Sequence, residues 1–208
     1  NDDSKLLPRP ISICEIDREN GRLRIVYRVV GYGTKEFSGC KAGDTLEIMG
    51  PLGNGYTLKK DKAILVAGGI GVPPMLELAK ELDCEKTIVL GYRDELFLNK
   101  EFEQYGKVVI ATEDGSCGTK GNVLDAIRAE SVDGQVIYSC GPTPMLRALK
   151  QYAADKGIEA WISLEEKMAC GIGACLACVC KSKDVDHHTN VHWLHLLSQP
   201  LQGDSDQQ

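Results

Sequence analysis

The chain has 208 residues, a hydrophobic fraction of 43% and a formal charge of −6. That length provides for one large or two small domains with a buried core, and the interspersed charges lack the basic stripe that nucleic acid demands. No apolar run approaches the ~20 residues of a bilayer span, so no membrane partner is expected and we read the chain as cytoplasmic.

The opening, "NDDSKLLPRP", has neither an initiator Met nor a signal peptide, and we read the true beginning as missing. Residues 1–60 read as β: "ISICEI" and "RLRIVYRVV" are rich in β-branched residues, and "DTLEIM" alternates before the turn "GPLGNGY". Just ahead of the first strand, "RPIS" (Arg9, Pro10, Ile11, Ser12) offers a guanidinium, a rigid turn and a hydroxyl. An arginine there could grip a phosphate with its fork. An exposed loop arginine is the plainer alternative, and residue chemistry alone favours it.

After Asp61 the pattern changes. Strand-like "KAILVA", "KTIVLGY", "KVVIAT" and "QVIYS" alternate with helix-like "VPPMLELAKEL", "NVLDAIRAE" and "PTPMLRALKQYAADKG", and "EAWISLEEK" adds a last strand. Short apolar strands alternating with amphipathic helices predict a parallel sheet with crossover helices over 61–160. The boundary rests on that pattern, since no repeat or linker marks it. Residues 161–208 form a third segment, holding the cysteine run and a histidine-containing tail with a polar end.

Two glycine turns follow strands and precede helices. In "AGGIGVPPM", Gly68, Gly69 and Gly71 would let the backbone approach a pyrophosphate at a helix N-terminus. Pro74 replaces the third glycine of the dinucleotide fingerprint, and a tight turn without ligand is the competing reading. "YSCGPTPM" repeats the layout with Cys140, Gly141 and Pro142. It places Cys140 at the carboxyl end of a strand, although a lone cysteine is more often a small buried hydrophobe. Two such turns on one parallel sheet would face the same crevice.

The strongest signal is "EKMACGIGACLACVCK". Cys170, Cys175 and Cys178 stand at C-x4-C-x2-C, the spacing with which plant-type ferredoxins begin to hold a two-iron cluster. Gly171 and Gly173 allow the loop to curl around sulfur, and Ala174 and Ala177 are small enough for close approach. A zinc knuckle completed by His187, His188, His192 or His195 is the rival. Nine cysteines, an odd number with five scattered singly, make a disulfide framework the poorer reading.

Taken in order, "RPIS", "VYRVVGYGT", "GPLGNGY", "VAGGIGVPPM", "YSCGPTPM" and "SLEEKMACGIGACLACVCK" resemble the electron-transfer subunits of class B dihydroorotate dehydrogenases, within the ferredoxin–NADP reductase superfamily. The likeness runs from Leu7 to Val191. It implies a partial FAD-binding β-barrel, a doubly wound NAD-binding domain and a C-terminal [2Fe-2S] loop. By position, Arg9, Pro10, Ile11, Ser12, Val26, Tyr27, Arg28, Gly33 and Thr34 would contact FAD. Gly68, Gly69, Gly71, Gly141 and Pro142 would face NAD, with Cys140 catalytic beside the nicotinamide. Cys170, Cys175 and Cys178 would ligate iron. The resemblance further implies an FMN-containing catalytic subunit as partner, a heterotetramer, and electrons passing from dihydroorotate through cluster and FAD to NAD+ in pyrimidine biosynthesis. The family's fourth ligand cysteine lies farther on; here none follows Cys180, which leaves Cys180, His192 or His195 as substitutes. Two alternatives stand beside this reading: a ferredoxin–NADP reductase-like subunit of another complex, and a non-catalytic zinc-binding or truncated module.

Overall fold

The computed structural model describes residues 8–93, 95–164, 168–172, 174–175, 179–180, 189–190 and 195–197. Its centre is a seven-stranded sheet, and the strand that starts it explains the rest. In β3 (Ala63–Gly68, "AILVAG") every residue is buried. A strand covered on both faces needs a near-continuous apolar run rather than alternation, and this sequence supplies one. It pairs in parallel with β4 (Lys86–Tyr92) on one side and β7 (Val136–Cys140) on the other, with Ala63 opposite both Lys86 and Val136.

From β3 the chain winds outward through β4, β5 (Lys107–Thr112) and the two-residue β6 (Thr119–Lys120). It then crosses back to β7 and β8 (Glu159–Ser163), giving the order β8-β7-β3-β4-β5-β6. A further short strand, β11 (His195–Leu197), pairs antiparallel with β8 at the edge. The tail, which reads as polar at its end, thus contributes a strand. β9 (Val179–Cys180) and β10 (Thr189–Asn190) pair antiparallel in a separate two-stranded ladder.

Helices cover both faces, as the alternating pattern requires. α2 (Val72–Glu81) and the short α3 (Asn99–Phe102) lie on one face. There Met75, Leu76, Ala79 and Phe102 meet Leu65, Ala67, Ile88 and Leu90. α4 (Val123–Ala129) and α5 (Thr143–Lys156) lie on the other, where Ala126, Ile127, Leu149 and Ala153 meet Ile64, Val66, Val89 and Ile137. α4 begins on a reciprocal cap: Asn122 Oδ1 accepts the N–H of Leu124 at 2.9 Å, and Asp125 accepts that of Asn122 at 2.9 Å. α5 ends at Gly157, whose φ of 65° is the left-handed conformation that terminates a helix.

The first sixty residues differ from their sequence reading. β1 (Ile13–Asp17) and β2 (Arg22–Ile25) form an antiparallel hairpin, but ladder pairing stops at Ile25. The stretch "VYRVV" has no partner strand among the described residues, and Val29 and Val30 are 51% and 78% exposed. "DTLEIM" is likewise unpaired, with Ile48 and Met49 exposed, and Tyr32–Phe37 forms a helix, α1, in place of strand. β-Branched residues favour a pleated surface only where a neighbouring strand supplies one, so propensity alone did not decide these segments. The hairpin docks on α2 and α3: Glu77 accepts the N–H of Ile16 at 2.9 Å, Lys80 Nζ donates to the Ile16 carbonyl at 2.7 Å, and Arg24 forks onto Glu101. No helix among the described residues is long and apolar enough to cross a membrane.

Candidate functional site

Between β3 and β7 the winding direction reverses, so the turns leaving their carboxyl ends diverge to opposite faces and open a crevice. In open α/β sheets ligands bind at this switch point. Both predicted glycine turns lie there. After β3, Gly69 has φ 53° and opens a single 3-10 turn that ends at Gly71. A Cβ on Gly71 would overlap the Cys140 carbonyl, far closer than van der Waals contact, and stand 2.6 Å from the Gly141 nitrogen. Gly68 is equally confined, 2.7 Å from Met145 Sδ and 3.2 Å from Pro142 Cδ at its would-be Cβ. The two turns therefore touch. Gly71 is small because the other turn lies against it, a neighbour that neither of its sequence readings, a pyrophosphate or a plain tight turn, had named.

α2 and α5 start from this crevice with N-caps Gly71 and Pro142, neither of which supplies a side-chain cap. Pro73 stands in the first turn of α2, where a missing N–H costs nothing. Compared with Asn122 at α4, which occupies its own helix donors, the start of α5 leaves the Thr143 and Met145 N–H groups without a side-chain cap for an anionic ligand. The first turn of α2, Val72-Pro73-Pro74, instead has a single N–H, which donates to the Gly69 carbonyl. The residues present thus fit a dinucleotide pyrophosphate. Cys140 is 1% exposed and belongs to the core cluster beneath α2. It sits at the predicted strand end, with its carbonyl against Gly71.

The residues expected around FAD divide into two groups. Arg9 lies over Gly33, where a Cβ would come 2.5 Å from its Nε, so this glycine is the cradle for the guanidinium. Arg28 reaches toward the other loop, its terminal nitrogen 3.7 Å from where a Cβ of Gly69 would stand. A guanidinium over Gly33 of α1 and another beside the Gly69 turn each have the chemistry to hold a phosphate. The rest have structural partners. Val26 packs on the core cluster and Tyr27 meets Phe37 edge to face at 6.2 Å. The Thr34 hydroxyl accepts the N–H groups of Val30 and Gly31, each at 3.1 Å, and so holds the start of α1. Pro10 is exposed, and Ile11 and Ser12 are partly buried ahead of β1.

In the cysteine loop, Cys170 and Cys175 are described and Cys178 lies outside the described residues. The Cys175 N–H donates to Cys170 Sγ at 3.4 Å. Backbone N–H groups of Cys175 and Ile172, in that order, with the Cys175 thiol next, lower the Cys170 pKa to about 6. A sulfur held as thiolate and ringed by N–H donors fits an iron ligand. Gly171, at φ 72°, makes the turn, and its would-be Cβ lies 3.2 Å from Leu52 Cδ1. That contact joins the cysteine loop to "GPLGNGY", a link that sequence reasoning missed. Of the fourth-ligand candidates, Cys180 and His195 are described in backbone only, on β9 and β11, and His192 lies outside the described residues.

Comparison with known proteins agrees with this chemistry. The model of the iron-sulfur cluster binding domain of dihydroorotate dehydrogenase B matches residues 165–192, which favours iron over zinc in the loop. The electron transfer subunit of dihydroorotate dehydrogenase B (NAD(+)) from Fusobacterium nucleatum subsp. nucleatum is 47% identical over 199 residues. The match covers 89% of this chain and 76% of that one. Its counterpart from a Geobacillus species is 48% identical over 185 residues, covering 85% and 71%. Among solved structures, an NADH-dependent reduced ferredoxin-NADP oxidoreductase studied for flavin-based electron bifurcation superposes with a TM-score of 0.75 at 34% identity. It covers 82% of this chain, which spans 65% of that one. The chain belongs to the family of dihydroorotate dehydrogenase B (NAD(+)) electron transfer subunits.

Proposed function

We propose that this chain carries electrons from an FMN-containing dihydroorotate-oxidising subunit to NAD+, using [2Fe-2S] and FAD, in pyrimidine biosynthesis. The observation that carries the reading is the packing of Gly171 on Leu52. It sets the cysteine loop directly against the turn Gly50–Gly55 of the proposed FAD-binding region 1–60, the flavin-side turn in this reading, and an electron-transfer subunit needs its centres adjacent. Arg9, Pro10, Ile11, Ser12, Val26, Tyr27, Arg28, Gly33 and Thr34 would hold FAD in residues 1–60, as part of a β-barrel. Gly68, Gly69, Gly71, Gly141 and Pro142 would hold NAD in 61–160, and Cys170, Cys175 and Cys178 would hold the cluster in 161–208. Cys140, proposed as the catalytic residue beside the nicotinamide, is shielded from solvent, so its part would be played from beneath the turn, with its carbonyl backing Gly71.

When bound, the nicotinamide exchanges a hydride, the flavin interconverts hydride and single electrons, and the cluster carries electrons singly. The chain's own part is to bind, orient and exclude water. Arg9 and Arg28 would neutralise phosphates, the N-terminus of α5 would face the pyrophosphate, and the glycine turns would bring backbone close. In this reading the chain assembles with the catalytic subunit as a heterotetramer, in the cytoplasm.

Reconstitution tests this reading. The iron- and FAD-loaded chain, mixed with the FMN-containing subunit, should reduce NAD+ when dihydroorotate is added. A loaded chain whose flavin NADH reduces, but which accepts nothing from that subunit, would instead support a ferredoxin–NADP reductase-like role elsewhere, the reading that the bifurcating oxidoreductase favours. A chain that binds zinc and no flavin would overturn both.

A further inference from the structure

One strap of chain, Tyr56 to Lys59, ties the flavin-side turn to the sheet. It follows the turn Gly50–Gly55 and packs on the α2 face of β7 and β8 before β3 begins. Tyr56 Oη donates to the carbonyl of Ser139 at 2.8 Å. Tyr138 Oη donates to the carbonyl of Thr57 at 2.8 Å and accepts the N–H of Lys59 at 3.1 Å. The rings meet edge to face, 5.4 Å apart at 84°. Lys59 Nζ pairs with Glu159 on β8 and lies 5.9 Å from the Trp161 ring. Each tyrosine thus bonds the backbone of the segment that carries the other, forming a reciprocal clasp.

Its place in the fold gives the clasp its meaning. Tyr56 comes directly after Gly55, the last residue of the flavin-side turn. Ser139 comes directly before Cys140, which opens the turn on the nicotinamide side. Scarcely any chain separates the clasp from either loop. Apolar packing alone would hold Tyr138, which has no exposed surface. Hydroxyl-to-main-chain bonds add something packing cannot, since they fix how far the strap can slide along β7.

We propose that Tyr56 and Tyr138 are positioning residues that set the flavin-side turn 50–55 against the nicotinamide-side turn 140–142, and with it the hydride-transfer distance. The inference rests on the function proposed above. A misplacement of about 1 Å between reacting groups costs on the order of 100-fold in rate.

Tyr138→Phe and Tyr56→Phe test it, since both keep the ring packing. In the cofactor-free chain, Tyr138→Phe should speed hydrogen exchange at the Lys59 amide about tenfold, with β3 and β4 amides unchanged. In the FAD-loaded chain, either variant should slow flavin reduction by NADH about 10- to 100-fold. FAD content and KM for NADH should stay within about twofold, and the isotope effect with 4-deuterated NADH should rise. Reduction at the unmodified rate, whatever the exchange result, would make the clasp a packing feature and sink the proposal. So would unchanged Lys59 exchange. If the unmodified loaded chain holds FAD that NADH does not reduce, the functional reading itself has failed, and the proposal goes with it.

Discussion

The sheet from Ala63 to Ser163 and the first sixty residues obey different rules. Within the sheet, each strand has a neighbour and each face a helix, so local pattern and tertiary packing agree. In the first region, strand-like sequence outruns its pairing, and Val30 and Ile48 stand 78% and 72% exposed. That region is held from outside, by Glu77 and Lys80 on the Ile16 backbone, Arg24 on Glu101, and the tyrosine clasp. Burial carries one region, while directional polar contacts, with a few apolar anchors at Cys14, Val26 and Tyr56, carry the other. Substitutions should therefore have unlike consequences in the two.

The sharpest way to break this contrast is a matched truncation. Leu65→Ala, in a fully buried strand, should cost about 2–5 kcal/mol by urea unfolding. Ile48→Ala should change stability by no more than about 0.5 kcal/mol. Equal losses would erase the distinction. Next comes the contact between the crevice turns: Gly71→Ala must push the Cys140 carbonyl away and should cost about 1–3 kcal/mol, with weakened NAD binding by titration. Asn122→Ala, which removes the α4 cap, should cost about 1 kcal/mol without altering NAD affinity. Arg24→Met should cost at most about 1 kcal/mol, shrinking in high salt, because its side chain is 42% exposed. The last prediction concerns Cys14, the fully buried thiol of β1, which burial raises to about 11. A raised folded value leaves stability intact below pH 9 and erodes it between 9 and 11. Iodoacetamide at pH 8 should accordingly label exposed Cys40 and spare Cys14 in the native chain.

The parallel sheet was legible because its signals are local. "KAILVA" and "KTIVLGY" became β3 and β4 within a residue or two, and the glycine turns lie at the crevice that the winding predicts. The β reading of "DTLEIM" failed because a strand needs a partner, and alternation carries no information on whether one exists. The clasp was missed because Tyr56 and Tyr138 are 82 residues apart, and no local pattern spans that distance. A signal did exist: a tyrosine within the buried strand "VIYSC" carries a hydroxyl that must find a mate. The Leu52–Gly171 contact had no such clue. For Gly71, the right residue was singled out for an incomplete reason, since its missing side chain makes room for a neighbouring carbonyl.

That close approach has a thermodynamic corollary. Two turns already in mutual van der Waals contact, with the crevice open beside them, need little rearrangement to admit a guest, so the receptor largely exists before its cargo arrives. Little ordering entropy is then surrendered on association, and more of the gross interaction energy survives as affinity. Calorimetry of NAD+ binding should show a modest entropic loss, and the heat released should owe more to polar contacts than to loop closure.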